Sequence, residues 1–116
     1  MNRSKAERLG RWGERRAAWW LRLQGWRILD QRVKVRSGEV DLVARRWKTT
    51  AFVEVKTRTT ADALDLAIDE YRLRRVAAAV QAISHRYARR EDDIRIDIIL
   101  IAPGRWPRHL VNVWHA

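Results

Sequence analysis

Three residues in two short runs have the types and spacing for phosphoryl chemistry. In GEVDLV (Gly38 to Val43) and FVEVKTR (Phe52 to Arg58), Asp41, Glu54 and Lys56 lie on alternating stretches either side of the basic loop RRWKT. Residues two apart on a strand share a face, so Glu39, Asp41 and Val43 point one way, and Phe52, Glu54 and Lys56 point together. An even-numbered loop, such as Arg46 to Thr49, sets Asp41 opposite Glu54 and Glu39 opposite Lys56. An odd one separates them unless a bulge intervenes. Directly opposed carboxylates repel unless a cation neutralises them. Mg2+, or Mn2+ in its place, suits the role, because magnesium binds through one or two carboxylates and keeps positions for water and phosphate oxygens. In phosphodiester hydrolysis such an ion polarises the phosphoryl oxygen, orients the attacking water and stabilises the leaving oxyanion. Lys56 would add a compact positive charge beside the transition state.

The same runs also read as the solvated faces of an ordinary hairpin carrying cross-strand charge pairs. Against that, the basic residues are 21 Arg and 4 Lys, and Glu54-Val55-Lys56 is the only acidic-x-Lys triplet in the chain. Both readings need the same hairpin.

The surrounding pattern predicts the elements that position it. Ser4-Lys5-Ala6-Glu7 has the form of a capping box, which starts a helix. Leu9, Trp12, Gly13, Ala17, Trp20 and Leu23 recur at steps of three or four, and Gly25 supplies a stop. That leaves Arg8, Arg11, Arg15 and Arg22 largely on the outside. WRILDQRVKV (Trp26 to Val35) suits a strand, RSG a turn, and EVDLVA with AFVEVKT an antiparallel hairpin. After Thr59-Thr60 a turn or short helical piece is expected. A long helix should then run from about Asp69 to Arg89, burying Leu73, Val76, Ala77, Val80, Ile83 and Tyr87. Ile94 to Ala102 is a β-branched strand, and HLVNVWH after Pro107 a shorter one. The order is α, β, β, β, α, β, β, and no linker divides the 116 residues, so one domain is expected.

Formal charge is +11, and residues 1 to 36 hold 11 basic against 3 acidic residues, or +8 of it. A polyanionic partner follows, and nucleic acid suits better than a membrane, since neither an amphipathic lipid-facing helix nor a lipidation signal is present. The N-terminus lacks the apolar stretch of a signal peptide and no run has membrane-spanning length, which predicts a cytoplasmic protein. Without cysteine, and with no ligand spacing among His85, His109 and His115, zinc is not expected. Arg8, Arg11 and Arg15 on the first helix, with Arg45, Arg46 and Lys48 in the hairpin loop, are candidate phosphate contacts. Such contacts favour shape over base readout and weaken with salt. Trp47 at the loop tip could stack on an unpaired base, or stand exposed without a role. The other six tryptophans are expected mostly in packing.

Four blocks in order carry a resemblance over nearly the whole chain: Gly13-Glu14 followed by Ala17, GEVDLV, FVEVKTR, and Arg95-Ile96-Asp97. With them the chain resembles the YraN-like proteins of the restriction-endonuclease-like superfamily, with its PD-(D/E)xK nuclease motif, and is similar to archaeal Holliday junction resolvases. The resemblance implies an α/β restriction-endonuclease-like fold, a central mixed sheet flanked by helices. It implies that Asp41 and Glu54 bind metal, that Lys56 is catalytic and that Glu14 is a further acid delivered from the first helix. Arg58 closes the third block as a nucleic-acid contact. Arg72 stands where the family commonly has lysine, which keeps a phosphate clamp but not proton transfer. The implied activity is metal-dependent hydrolysis of DNA, on branched or single-stranded intermediates in repair, recombination or DNA uptake. The alternative is a non-catalytic, basic nucleic-acid-binding adaptor that keeps the nuclease fold. Symmetric cutting of a four-way junction would require a homodimer, and a motor protein of repair or recombination is a candidate partner.

Overall fold

The computed structural model describes residues 3–59 and 70–114. Helix α1 (Arg3–Leu23) is followed by strands β1 (Arg27–Val35), β2 (Gly38–Arg46) and β3 (Thr49–Thr57), helix α2 (Glu70–Tyr87), and strands β4 (Asp93–Ile101) and β5 (Arg108–Leu110). The expected order is therefore observed. The five strands form one open sheet in the order β1-β2-β3-β4-β5. Only β3 and β4 are parallel, as a connection carrying a helix allows; the other pairs are antiparallel.

Strand alternation sorts the core into two layers. Leu42, Ala44, Ala51 and Val53 face α1 through Ala17, Ala18 and Leu21. Val43, Phe52, Ile96 and Ile98 face α2 through Leu73, Val76 and Ile83. Two glycines set how closely each helix approaches the acidic strand ends. A Cβ at Gly13 would collide with the Thr57 side chain at the end of β3, and one at Gly38 with the Arg75 carbonyl of α2. Both helices are thereby held against the region that carries Asp41 and Glu54.

Several local expectations are corrected. α1 spans Arg3–Leu23, so Ser4 lies inside the helix. Ser4 Oγ accepts from Arg8, and Glu7 pairs with Arg3, so no capping box forms. The packed stripe of α1 is Gly13, Ala17, Ala18 and Leu21, because close approach favours small side chains; Leu23 is exposed. The hairpin turn is only Trp47-Lys48, and Trp47 takes a φ of 53°. β5 covers three residues rather than seven, since Asn112, at a φ of 56°, breaks the ladder, although the Val113 N–H beyond it still donates to the Ile96 carbonyl of β4. α2 ends at Tyr87, short of Arg89, and Ala77 and Tyr87 are half-buried. The expected turn after Thr59-Thr60 and the start at Asp69 fall outside the described residues. Among those described, no helix is long and apolar enough to cross a membrane.

Candidate active site

The β2–β3 ladder runs from Arg46 opposite Thr49 to Leu42 opposite Val53. A two-residue turn has the same parity as the four-residue loop, so the next position brings Asp41 to Glu54, as the even-loop register requires. There the ladder stops. Asp41 Oδ2 instead accepts the Val55 backbone N–H at 2.8 Å, so a side chain holds the parting strands.

The three residues of the motif are almost withdrawn from water: Asp41 is 9% exposed, Glu54 3% and Lys56 4%. Glu54 Oε1 accepts from Arg72 Nη2 at 2.9 Å and lies 3.5 Å from Lys56 Nζ. Glu14, on α1, is held by Arg32 of β1 through Nε at 2.8 Å and Nη2 at 3.3 Å, and not by Arg11 or Arg15. Two open clefts meet at this point. One, of about 270 Å³, is lined by Glu39, Asp41, Glu54, Arg72 and Arg75. The other, of about 390 Å³, brings Glu14, Asp41, Lys56, Arg58 and Arg72 together. Asp41 and Arg72 border both.

Burial pushes the Asp41 carboxyl up to about 8; the charge of Glu54 adds to this, the Val55 N–H opposes it and Glu14 raises it further. Lys56 is lowered, chiefly by burial; the Glu54 charge works against this and the nearby Arg72 charge adds to it. Hydrogen bonding to Glu14 raises Arg32, and the charges of Glu14, Asp41 and Glu39 support the shift against some burial. Asp41 is thus a carboxylate short of positive partners beside two other acids.

The donor set is chemically suited to Mg2+ or Mn2+, being hard carboxylate oxygens facing open space. Among the described residues, no group of three or more His, Cys, Asp or Glu side chains is disposed to hold a metal. Two carboxylates with water completing the shell remain within what magnesium accepts.

The other expected site residues divide by place. Arg72 and Arg58 border the acidic clefts, and Arg58 Nη1 donates to the Thr57 carbonyl. Arg8, Arg11 and Arg15 are exposed along α1. The hairpin tip stands at the far end of β2 and β3, roughly 20 Å from Asp41 at ~3.4 Å per residue. Two of its arginines are committed to packing. Arg45 makes a two-pronged pair with Asp92, which this bonding holds well below the usual carboxylate range. Arg46 donates to the Gln24 carbonyl and lies 4.6 Å from the centre of the Trp26 ring. Trp47 is 84% exposed and Lys48 lies beside it.

Arg32 is the residue that sequence reasoning missed. Its strand slips register between Ile28 and Asp30, and Arg32 takes a φ of 52°, presenting its guanidinium to Glu14 across the helix–sheet gap. The available signal was the broken alternation at Ile28-Leu29. Asp97, in the fourth block, lies outside the acidic site. It is fully buried and receives Arg95, His109 and the Asn112 N–H.

The profile described as Uncharacterised protein family UPF0102 matches residues 13–101, which include Glu14, Asp41, Glu54, Lys56 and Asp97. A UPF0102 protein of Sphingopyxis alaskensis is 66% identical over 114 residues, covering 98% of each chain. One from Rhizorhabdus wittichii is 64% identical over 97% of this chain and 96% of its own. One from Caulobacter vibrioides is 46% identical over 94% of this chain and 88% of its own.

Proposed function

The chain belongs to the UPF0102 family, the YraN-like family of the sequence resemblance, and we propose that it is a divalent-cation-dependent nuclease with a restriction-endonuclease-like fold. Its substrate in this reading is DNA, in branched or single-stranded intermediates of repair, recombination or uptake. One observation carries the reading: Asp41, Glu54 and Lys56 converge, nearly buried, where β2 and β3 part between two open clefts.

Asp41 and Glu54 would hold Mg2+ or Mn2+, with Glu14 a third acid at the cleft once released from Arg32. The ion, when bound, supplies Lewis-acid polarisation of the phosphoryl oxygen and lowers the pKa of water. Lys56, fixed beside Glu54, is placed to offset charge that develops on the phosphoryl group. Arg72 is 57% exposed, so its guanidinium can leave Glu54 for a substrate phosphate, exchanging one anion for another. Cutting a four-way junction symmetrically would take two copies of the chain.

A second reading has one observation in its favour. Arg72 and Arg32 already pair with Glu54 and Glu14, as a nucleic-acid-binding adaptor that no longer takes a metal would arrange. Labelled single-stranded, duplex, flap and four-way-junction DNA separate the two readings when incubated with Mg2+ or Mn2+. The nuclease reading predicts metal-dependent cutting lost in Asp41→Ala, Glu54→Ala and Lys56→Ala. Binding without cutting, or cutting that survives all three substitutions, supports the adaptor.

A further inference from the structure

Four of the seven tryptophans meet on one surface. Trp12, Trp19 and Trp20 of α1 and Trp106 from the segment after β4 line an open groove of about 410 Å³. Trp19 is 63% exposed and Trp106 82%, although rings of this size are ordinarily drawn into cores. An exposed apolar patch of this kind marks an interaction site. The rings are already arranged as a platform: Trp20 and Trp106 have centroids 5.8 Å apart at a 46° tilt.

The rest of the lining decides what the platform takes. Arg15, Arg16 and Arg105 border it, and among the described residues no acid does. The Arg16 guanidinium sits 4.9 Å from the centre of the Trp12 ring, so charge and aromatic surface are interleaved. A second copy docked face to face on a two-fold axis would set these arginines against their own counterparts with no carboxylate between them. A single strand supplies both complements, with stacking faces for the rings and phosphates for the arginines.

We infer that this groove binds unpaired nucleotides of a single strand by stacking and feeds that strand toward the acidic cleft. Leu9 borders the cleft and Trp12 the groove. Three residues apart, they share one side of α1 and are about 4.5 Å apart along its axis at ~1.5 Å per residue, so the groove and the cleft adjoin along one flank of the helix. The inference rests on the nucleic-acid reading and narrows its substrate to DNA with an unpaired strand beside the cut.

The test uses the full chain without divalent cation, so that binding is read apart from cleavage. A fluorescent 12-nucleotide oligothymidine and a 12-base-pair duplex are titrated with the native protein, the double variant Trp19→Ala/Trp106→Ala, and Arg105→Glu. Both rings are exposed, so the double variant should unfold at the native midpoint. The expected result is a loss of roughly tenfold or more in single-strand affinity for the double variant, with duplex affinity changed less than about threefold. Arg105→Glu should weaken both ligands and flatten the salt dependence. Cross-linking of 5-iododeoxyuridine-containing oligonucleotide to Trp19 or Trp106 would place the strand directly.

Native single-strand affinity in the double variant overturns the groove and leaves the nuclease reading standing. Absence of oligonucleotide binding by the native protein overturns both. Self-association, or binding to phosphatidylserine vesicles, that disappears in the double variant while oligonucleotide binding persists would reassign the surface to a second copy or a membrane.

Discussion

Asp41 on β2 and Asp97 on β4 are both carboxylates drawn into the same sheet, and the chain treats them in opposite ways. Asp97 is 0% exposed and receives Arg95 through Nε and Nη2, His109 through Nε2 and the Asn112 backbone N–H. Burial alone would raise its pKa. The bonds from His109, Asn112 and Arg95 outweigh burial and hold the carboxyl below its usual range. Asp41, 9% exposed, accepts the Val55 N–H while facing the charges of Glu54 and Glu14, and is pushed up to about 8. A saturated acid fastens structure, here β4 to β5 and the turn beyond. An acid left short of donors beside other acids costs stability, and in the proposed nuclease reading a cation offsets that cost.

The largest effect expected from this contrast is on cleavage. Asp41→Ala should lower the metal-dependent cutting rate by about 10³-fold or more, the scale of losing a group that stabilises transition-state charge. Asp97→Asn should leave the rate of the folded fraction within a few fold. Gel assays at matched folded concentration check both, and equal losses would erase the distinction between the two acids.

Stability should reverse the order. Asp97→Asn removes the anion that Arg95 and His109 surround, and breaking such a buried pair costs about 3 kcal/mol. Urea unfolding at pH 7 reads it. The native contribution follows from a depressed folded pKa: it is present above the unfolded value and lost as pH falls through the folded one.

The next effect has the opposite sign. A carboxyl whose folded pKa is raised to about 8 binds more protons in the native than in the unfolded state between about pH 4 and pH 8, so its contribution to stability falls as pH rises through that window. Asp41→Asn cannot ionise and can still accept the Val55 N–H. Without metal it should therefore be more stable than the native protein at pH 9, by about 1–3 kcal/mol, with the gain shrinking toward pH 4. Thermal unfolding across pH tests this, and a variant less stable at pH 9 than at pH 5, relative to native, would remove Asp41 from the under-compensated class.

Arg72 gives the smallest effect. Arg72→Ala should lower kcat/KM by roughly tenfold, about 1.4 kcal/mol, and should tighten Mn2+ binding by freeing Glu54. Arg72→Lys should recover most of the rate if a charge is what the phosphate needs. No recovery would assign the role to the planar guanidinium and not to its charge alone.

Much of this site was legible because strand alternation has a period of two. The parity of the loop was enough to bring Asp41 to Glu54, and shortening it from four residues to two did not alter the outcome. The order of elements followed from the change between helical and strand periods. What sequence could not carry was side-chain pairing between distant segments. Glu14 was expected only as an acid delivered from the first helix, with nothing in its surroundings to name a partner. It meets Arg32 because a register slip and a positive φ turn β1 there, and only Ile28-Leu29 hints at that break. HLVNVWH alternates like a full strand, yet Asn112 donates its N–H to Asp97 in a left-handed conformation and interrupts the ladder before Val113 bonds to β4 again. The tryptophans were expected mostly in packing because burial is their ordinary fate. On α1, the close contact at Gly13 selects small residues for the inner face, and Trp19 stays outside.

The most direct test of the contrast is a carboxyl-carbon NMR titration of Asp41 and Asp97 in the metal-free protein, repeated with saturating Mg2+. Asp41 should titrate several pH units above Asp97, and Mg2+ should drive the Asp41 midpoint down while leaving Asp97 in place. Two acids that both titrate below pH 4, or an Asp41 midpoint indifferent to Mg2+, would contradict the contrast.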